Sequence, residues 1–228
     1  MKRALWLAAG AAPAFWGAYT WGSHLLTLGS VWRGPTWRYA AALTFDDGPH
    51  PDWTPRVLDI LDRADARGTF FLIGRRAQRA PAIARRIAEA GHDLGNHTWS
   101  HQSFWRCGPR ETECEIRDGH VAIAAAAGAE PRFFRPPWGK TNLAMFGTLR
   151  RLGTPCVFWS VQPESRRPVE PAEQARRGIA RARPGAIYDL HDADGVPGAG
   201  ARLTEFLPVL IAGLRDQGYA LVPLRELL

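Results

Sequence analysis

Arg38-Tyr39-Ala40-Ala41-Ala42-Leu43-Thr44-Phe45-Asp46-Asp47-Gly48-Pro49 is the stretch on which the reading of this 228-residue chain turns. Residues 41 to 45 are almost continuously apolar, as in a strand covered on both faces, and the run breaks into two adjacent carboxylates and a turn. An unpaired buried charge is very costly, so Asp46 and Asp47 belong to a site and not to the core. Outward from here, Thr54 to Arg67 places Val57, Leu58, Ile60 and Leu61 at helical spacing and stops at Gly68. Thr69 to Ile73 reads as a second buried strand, and Ala82 to Ala90 as a helix entered through Pro81. A short strand before Asn96 then leads into His97-Thr98-Trp99-Ser100-His101. Helices follow over Pro109 to Ala127, Asn142 to Leu152, Pro171 to Ala182 and near Leu203 to Asp216. Between them lie strands at Arg132 to Arg135, Cys156 to Val161, Ala186 to Leu190 and Ala220 to Val222. Strands and helices alternate, and each polar motif falls where a strand ends, which is the functional rim of a parallel α/β barrel.

His97 and His101 lie four apart, so a helical turn would point both imidazoles the same way, and a carboxylate brought in by the fold would complete a three-ligand, open metal site. The spacing alone is a weak signal, equally compatible with two polar loop residues. Among the other histidines, His92 reads as structural, His50 as a turn residue or a neighbour of the site, His120 as helix surface, and His24 as part of the N-terminal segment.

Hydrophobic residues make up 46% of the chain, enough for one substantial core. The formal charge of +7 is carried almost wholly by arginine, since Lys2 and Lys140 are the only lysines. The arginines are scattered over expected helix faces with no nucleic-acid motif, which argues against DNA or RNA as a partner. Ala4 to Ser30 contains no Asp, Glu, Lys or Arg and follows Lys2-Arg3. That length reaches across a bilayer, so residues 1–32 are expected to form a signal anchor with the catalytic domain on the extracytoplasmic side of the cytoplasmic membrane. A cleaved signal peptide and a peripheral hairpin are the competing readings. Residues 33–37 form a linker, and 38–228 the domain, expected to be a monomer. Cys107, Cys114 and Cys156 fit no disulfide framework, with either a Cys107–Cys114 bridge or three free thiols.

Taken together, TFDDGP at 44–49, HTWSH at 97–101, RPPWG at 135–139 and LH at 190–191 resemble the NodB-type polysaccharide deacetylases, carbohydrate esterase family 4. The resemblance covers about residues 38 to 228 in the family's motif order. It implies a distorted (β/α) barrel of seven strands and a divalent metal, zinc first, with Co2+, Ni2+ or Mn2+ as alternatives. It implies hydrolysis of N- or O-acetyl groups on an N-acetylated glycan. Carried over residue by residue, it makes Asp47, His97 and His101 the metal ligands, Asp46 the general base, Arg135 the residue holding that base, and His191 the general acid. Pro137, Trp138 and Trp159 would line the sugar groove, and the Trp138 N–H would help stabilise an oxyanion.

Two departures stand out. Where the family has Asp-x-x-Asp-Trp, this chain reads Gln162-Pro163-Glu164-Ser165-Arg166, which removes the carboxylate that normally partners the catalytic histidine. Where the family has Leu-x-His, it reads Asp189-Leu190-His191. Residues two apart on a strand face one side, so Asp189 is expected to reach His191 and replace the lost carboxylate. The rival readings are that Asp189 reshapes the acyl pocket for a smaller or more polar group, such as formyl, or contacts a cationic sugar. A deacylase of a lipid-linked sugar and a noncatalytic glycan-binding protein are the alternative functions.

Overall fold

The computed structural model describes residues 15–23, 29–164, 169–193, 195 and 197–228. Five strands form a parallel sheet: β1 (Ala40–Asp46), β2 (Thr69–Leu72), β3 (Asp93–Asn96), β4 (Phe133–Phe134) and β5 (Ala186–His191), in the order β4-β3-β2-β1-β5. A sixth, β6 (Ala220–Leu221), pairs with the start of β1, also parallel. The helices are α1 (residues 15–23), α2 (Trp53–Arg63), α3 (Gly74–Arg79), α4 (Pro81–Glu89), α5 (Pro109–Ala127), α6 (Leu143–Leu152), α7 (Pro171–Ala180), α8 (Ala199–Asp216) and α9 (Leu224–Leu227).

The two-residue period of the strands divides the core. Ala41, Leu43 and Phe45 of β1, with Phe70, Leu72, Tyr188 and Leu190, pack outward under α2, α7 and α8. Ala40 and Ala42, with Phe71, Phe133, Val157 and Ile187, fill the inside of the curled sheet, and Leu224 and Leu227 of α9 pack into the same cluster. Each fully buried Leu or Phe here contributes about 1.5–3 kcal/mol. Continuing the inward positions along the strands gives Thr44 and Asp46 on β1 and Asp189 and His191 on β5. The inside is thus apolar at one end and polar at the C-terminal rim, where Asp46 pairs in register with His191.

Several expectations are corrected. Six strands are assigned among the described residues instead of seven: Cys156 bridges Phe134 and Val161 bridges Tyr188, but no ladder runs between them. The reason is local: the N–H groups of Ser160 and Val161 both donate to the Ile187 carbonyl, which puts two residues opposite one and breaks the register. Of the two open cysteine readings, the structure has the three free thiols. The short helix α3 was not anticipated.

The single-pass membrane topology is also overturned. No helix among the described residues is long and apolar enough to cross a membrane. Residues 1–14 and 24–28, including His24, lie outside the described residues. What is described of this segment packs on the domain: Trp16 Nε1 donates to the Trp105 carbonyl at 3.0 Å, Ser23 and Thr141 hydroxyls lie 2.7 Å apart, and Trp21 stacks on Trp105. Val31 then bridges Val157, which joins the end of this stretch to the domain.

Candidate active site

The strand ends bring the predicted residues into one cleft of about 700 Å3, lined by Asp46, Asp47, His97, His101, Trp138, Trp159, Gln162, Glu164, Asp189 and His191 among others. Asp46 is the last residue of β1, and Asp47 follows it with a left-handed backbone, φ 74°. Asp46 Oδ2 and Asp47 Oδ1 both face His97 Nε2, at 3.8 Å and 3.5 Å, and Arg76 Nη1 donates to the Asp47 carbonyl at 2.7 Å.

His97 and His101 converge, but not through a helical turn. The segment is irregular, with Thr98 at φ 69° and His101 at φ 64°. Of the five non-glycine residues with positive φ among the described residues, Asp47, Thr98, His101 and Trp138 are all at this site. Such conformations cost about 1–3 kcal/mol each and persist only where the surroundings enforce them. Here the surroundings are α3 and α5. The Thr98 and Trp99 carbonyls accept from Gly74 N and Arg75 N at the start of α3. Glu115 on α5 accepts from Ser100 N (2.8 Å) and Ser100 Oγ (2.6 Å), while its carbonyl accepts from Trp99 N. Asn96 Oδ1 accepts from Thr98 N, and its Nδ2 donates to the Ile116 carbonyl.

His97 Nδ1 lies 2.7 Å from the Arg135 carbonyl, which places the proton on Nδ1 and leaves the Nε2 lone pair facing the cleft. Burial pulls this imidazole down to about 4, so it is neutral near pH 7. Its Nε2 is 3.5 Å from Asp47 Oδ1, and His101 Nε2 is 3.0 Å from the same oxygen. Ligands on a tetrahedral zinc with bonds of about 2.0–2.1 Å sit about 3.3 Å apart. Asp47 Oδ1 is buried and accepts no well-aligned hydrogen bond, so three converging lone-pair donors fit a divalent cation.

Arg135 is completely buried, and each arm of its guanidinium is spoken for. Nη1 donates to Asp46 Oδ1 and to Thr44 Oγ1, both at 2.7 Å; Nε donates to the Val157 carbonyl at 3.1 Å and Nη2 to the Phe158 carbonyl at 3.0 Å. The plane lies over the Phe71 ring at 4.1 Å, and Trp159 is 5.6 Å away. Charge-assisted contacts of this kind fix the direction of the Asp46 carboxylate.

The partner of His191 is a correction. Asp189 does not hold it: Asp189 Oδ2 accepts from Gln162 Nε2 at 2.9 Å, and Oδ1 lies 3.6 Å from Arg135 Nη1 with no hydrogen bond of its own. Glu164 takes the role, with Oε2 2.5 Å from His191 Nδ1 and Oε1 accepting from His191 N at 3.1 Å. Burial alone would lower the His191 pKa, but Glu164, Asp189 and Asp47 together raise it well above the ordinary value. Burial pushes Asp189 in turn up to about 7, with the Asp46 and Glu164 charges adding to the rise. Glu164 lay in the replaced motif, and the signal was present: a carboxylate two residues past the missing one, with a side chain one methylene longer.

The remaining residues fall into place around these. Trp138 is half exposed, takes φ 54° and packs its ring 4.4 Å from that of His101. Pro137 is buried in the turn beneath it and is not among the lining residues. His50 Nδ1 accepts from Asp52 N at 3.1 Å in the turn before α2. His92 Nδ1 accepts from Gly68 N at 3.1 Å, and burial lowers it to about 4. His120 pairs with Glu130.

The sequence profile of the family described as polysaccharide deacetylase matches residues 33–157. A peptidoglycan-N-acetylglucosamine deacetylase of Bacillus cereus is 36% identical over 200 residues, which span 87% of this chain and 92% of that protein. A chitooligosaccharide deacetylase of Bradyrhizobium sp. is 36% identical over 203 residues, spanning 81% of this chain and 89% of that protein. The crystal structure of the Bc1960 peptidoglycan N-acetylglucosamine deacetylase, in complex with an N-oxidanyl-benzamide, superposes with a TM-score of 0.82 at 30% identity, covering 87% of this chain and 92% of that one. With motif order, rim geometry and these likenesses in agreement, the chain belongs to the NodB-type polysaccharide deacetylases of carbohydrate esterase family 4, hydrolases of carbon–nitrogen amide bonds.

Proposed function

We propose that this protein removes N-acetyl groups from a glycan of the chitooligosaccharide or peptidoglycan kind, using Asp46 as base and His191 as acid in the cleft that also holds Asp47, His97 and His101. The observation that carries the reading is the single cleft that holds both of these groups beside a donor set fit for a cation. A divalent cation there, zinc by its preference for two imidazoles and a carboxylate with open positions, supplies Lewis acidity toward the acyl carbonyl and acidifies water.

The chain's own residues do the rest. Asp46 accepts the proton of the attacking water, with the hydrogen bond from Arg135 Nη1 aiming its carboxylate. His191, held protonated by Glu164, gives its proton to the departing amine nitrogen. The ring of Trp138 covers one side of the cleft and excludes water, and its N–H is assigned to the developing oxyanion. The Asp189–Gln162 pair forms a polar wall beside His191, which favours a compact acyl group over a long apolar one.

The noncatalytic alternative is disfavoured by the complete pairing of base with Arg135 and acid with Glu164. The lipid-linked alternative drew its support from the membrane segment and has lost it. The test is release of acetate and free amine from N-acetylglucosamine oligomers by metal-loaded and chelator-treated protein. The full chain is used, because Trp16, Ser23 and Val31 make contacts with the domain. Release that depends on the metal supports the proposal; none from any N-acetylated oligomer, with metal bound, refutes it.

A further inference from the structure

A row of aromatic rings leads out of the cleft, and one of the chain's two lysines is set into it. Next to the Trp138 ring stands Lys140, whose Nζ is 5.5 Å from that ring's centroid and 4.7 Å from the centroid of Trp105. Trp105 in turn stacks on Trp21 of α1, centroids 5.2 Å apart and planes 27° from parallel. The two ends of the row are open to solvent, Trp138 at 50% and Trp21 at 66% exposure.

Exposed indole surface is costly in water, and contiguous exposed apolar patches mark places where something docks. Sugar rings have an apolar C–H face that lies flat on an indole, and they leave their hydroxyls to solvent. The row is continuous with the cleft, since Trp138 lines it and touches His101. A glycan whose reacting sugar occupies the cleft therefore meets this row with its next units. Lys140 adds a sign. Two ring faces hold its ammonium in place, and no carboxylate among the described residues pairs with it. In a chain that otherwise uses arginine, a compact, fixed positive charge on a sugar track is suited to a single carboxylate.

Resting on the deacetylase reading, we propose that Trp138, Lys140, Trp105 and Trp21 form an extended glycan-binding track whose lysine pairs with a carboxylate-bearing sugar next to the reacting one. The preferred substrate is then an acidic glycan and not a neutral N-acetylglucosamine polymer.

The experiment compares kcat/KM on neutral N-acetylglucosamine oligomers and on glycans of equal length in which alternate sugars carry a carboxylate. The acidic glycan is expected to be favoured by about tenfold at low salt, with the gap closing as ionic strength rises. Lys140→Met should bring the ratio of the two close to one, Lys140→Arg should keep most of it, and Trp21→Ala should raise KM more for long acidic chains than for short ones. Equal losses on both glycans in Lys140→Met, or no change in their ratio, would overturn the proposal. So would an unchanged ratio accompanied by loss of a dimer in Trp21→Ala, which would assign the rings to a second copy. Tryptophan-fluorescence titration of the Asp46→Asn protein with the same glycans reads binding without turnover. Tighter binding of the acidic glycan there supports the track even if no amine is released, and equal binding refutes it while leaving the deacetylase reading standing.

Discussion

Both oxygens of Glu164 are committed to His191, one to its ring Nδ1 at 2.5 Å and one to its backbone N–H at 3.1 Å. The carboxylate thus fixes the ring's direction, its tautomer and its charge together. Glu164→Gln should lower kcat/KM by about ten- to a hundredfold, the range for lost outer partners of a catalytic or ligating histidine. It should also move the alkaline limb of the pH–rate profile toward lower pH. The sign follows from the environment: burial lowers the His191 pKa, the Glu164 charge raises it, and removing that charge lets burial act with less opposition. Asp189→Leu should move the same limb less, because Asp189 makes no hydrogen bond to the ring. A profile unchanged in Glu164→Gln would remove His191 from the acid role.

Asp46→Asn tests the division of labour between adjacent aspartates. The amide can still accept from Arg135 Nη1, so the rim should keep its shape, and Asp47, His97 and His101 are untouched. Metal content by elemental analysis should therefore equal that of the parent protein, while turnover falls by at least about a hundredfold. Parallel loss of metal and activity would mean that Asp46 is a ligand.

Much of this architecture was readable from local chemistry. The apolar run into Asp46-Asp47, the helix over Pro109–Ala127 and the placement of each motif at a strand end all follow from period and punctuation, and the structure has them there. The failures are those of non-local or conformational origin. The spacing of His97 and His101 suggested a helical turn, whereas left-handed Thr98 and His101 bring the rings together, and no side-chain pattern announces such a backbone. The identity of the His191 partner depended on how residues 162 to 164 cross the rim, which a strand-period argument from Asp189 could not reach. The uncharged N-terminal stretch has the composition of a membrane span, but Trp16, Trp21 and Ser23 find partners on the domain, a choice that only tertiary contacts decide.

Metal binding should be legible as stability. A cation that binds the folded chain at a hundred times its dissociation constant adds about 2.7 kcal/mol. For a chain of this size that corresponds to a rise of about 5–10 °C in the unfolding midpoint. Calorimetry with zinc and with chelator should show this difference in the parent protein. It should vanish in His97→Ala, which removes the imidazole whose Nε2 faces Asp47 Oδ1 at 3.5 Å. A zinc-dependent shift that persists in His97→Ala would place the cation elsewhere.

The ligand loop is held from behind by a close approach that only glycine permits. A Cβ on Gly119 of α5 would sit 2.6 Å from Asn96 Oδ1, 2.7 Å from the Thr98 carbonyl carbon and 2.8 Å from Trp99 N. Two of these are backbone atoms and the third, Asn96 Oδ1, is held by Thr98 N; Asn96 Oδ1 and Trp99 N orient the histidine segment through Thr98 N and the Glu115 carbonyl. Gly119→Ala must push α5 and the loop apart, at about 1–3 kcal/mol of stability. Zinc affinity, measured by competition with a chromophoric chelator, should fall by about ten- to a hundredfold, although residue 119 is not among the three converging side chains. Gly128→Ala, at the C-terminal cap of the same helix, is the matched control. Gly128 sits at φ 70° with nothing within 4 Å of its would-be Cβ, so alanine there is strained but pushes on nothing. It should cost about 1–2 kcal/mol and leave zinc affinity as it was. Equal effects of the two variants on affinity would mean that the metal set responds to global stability and not to the seating of α5 against residues 96 to 99.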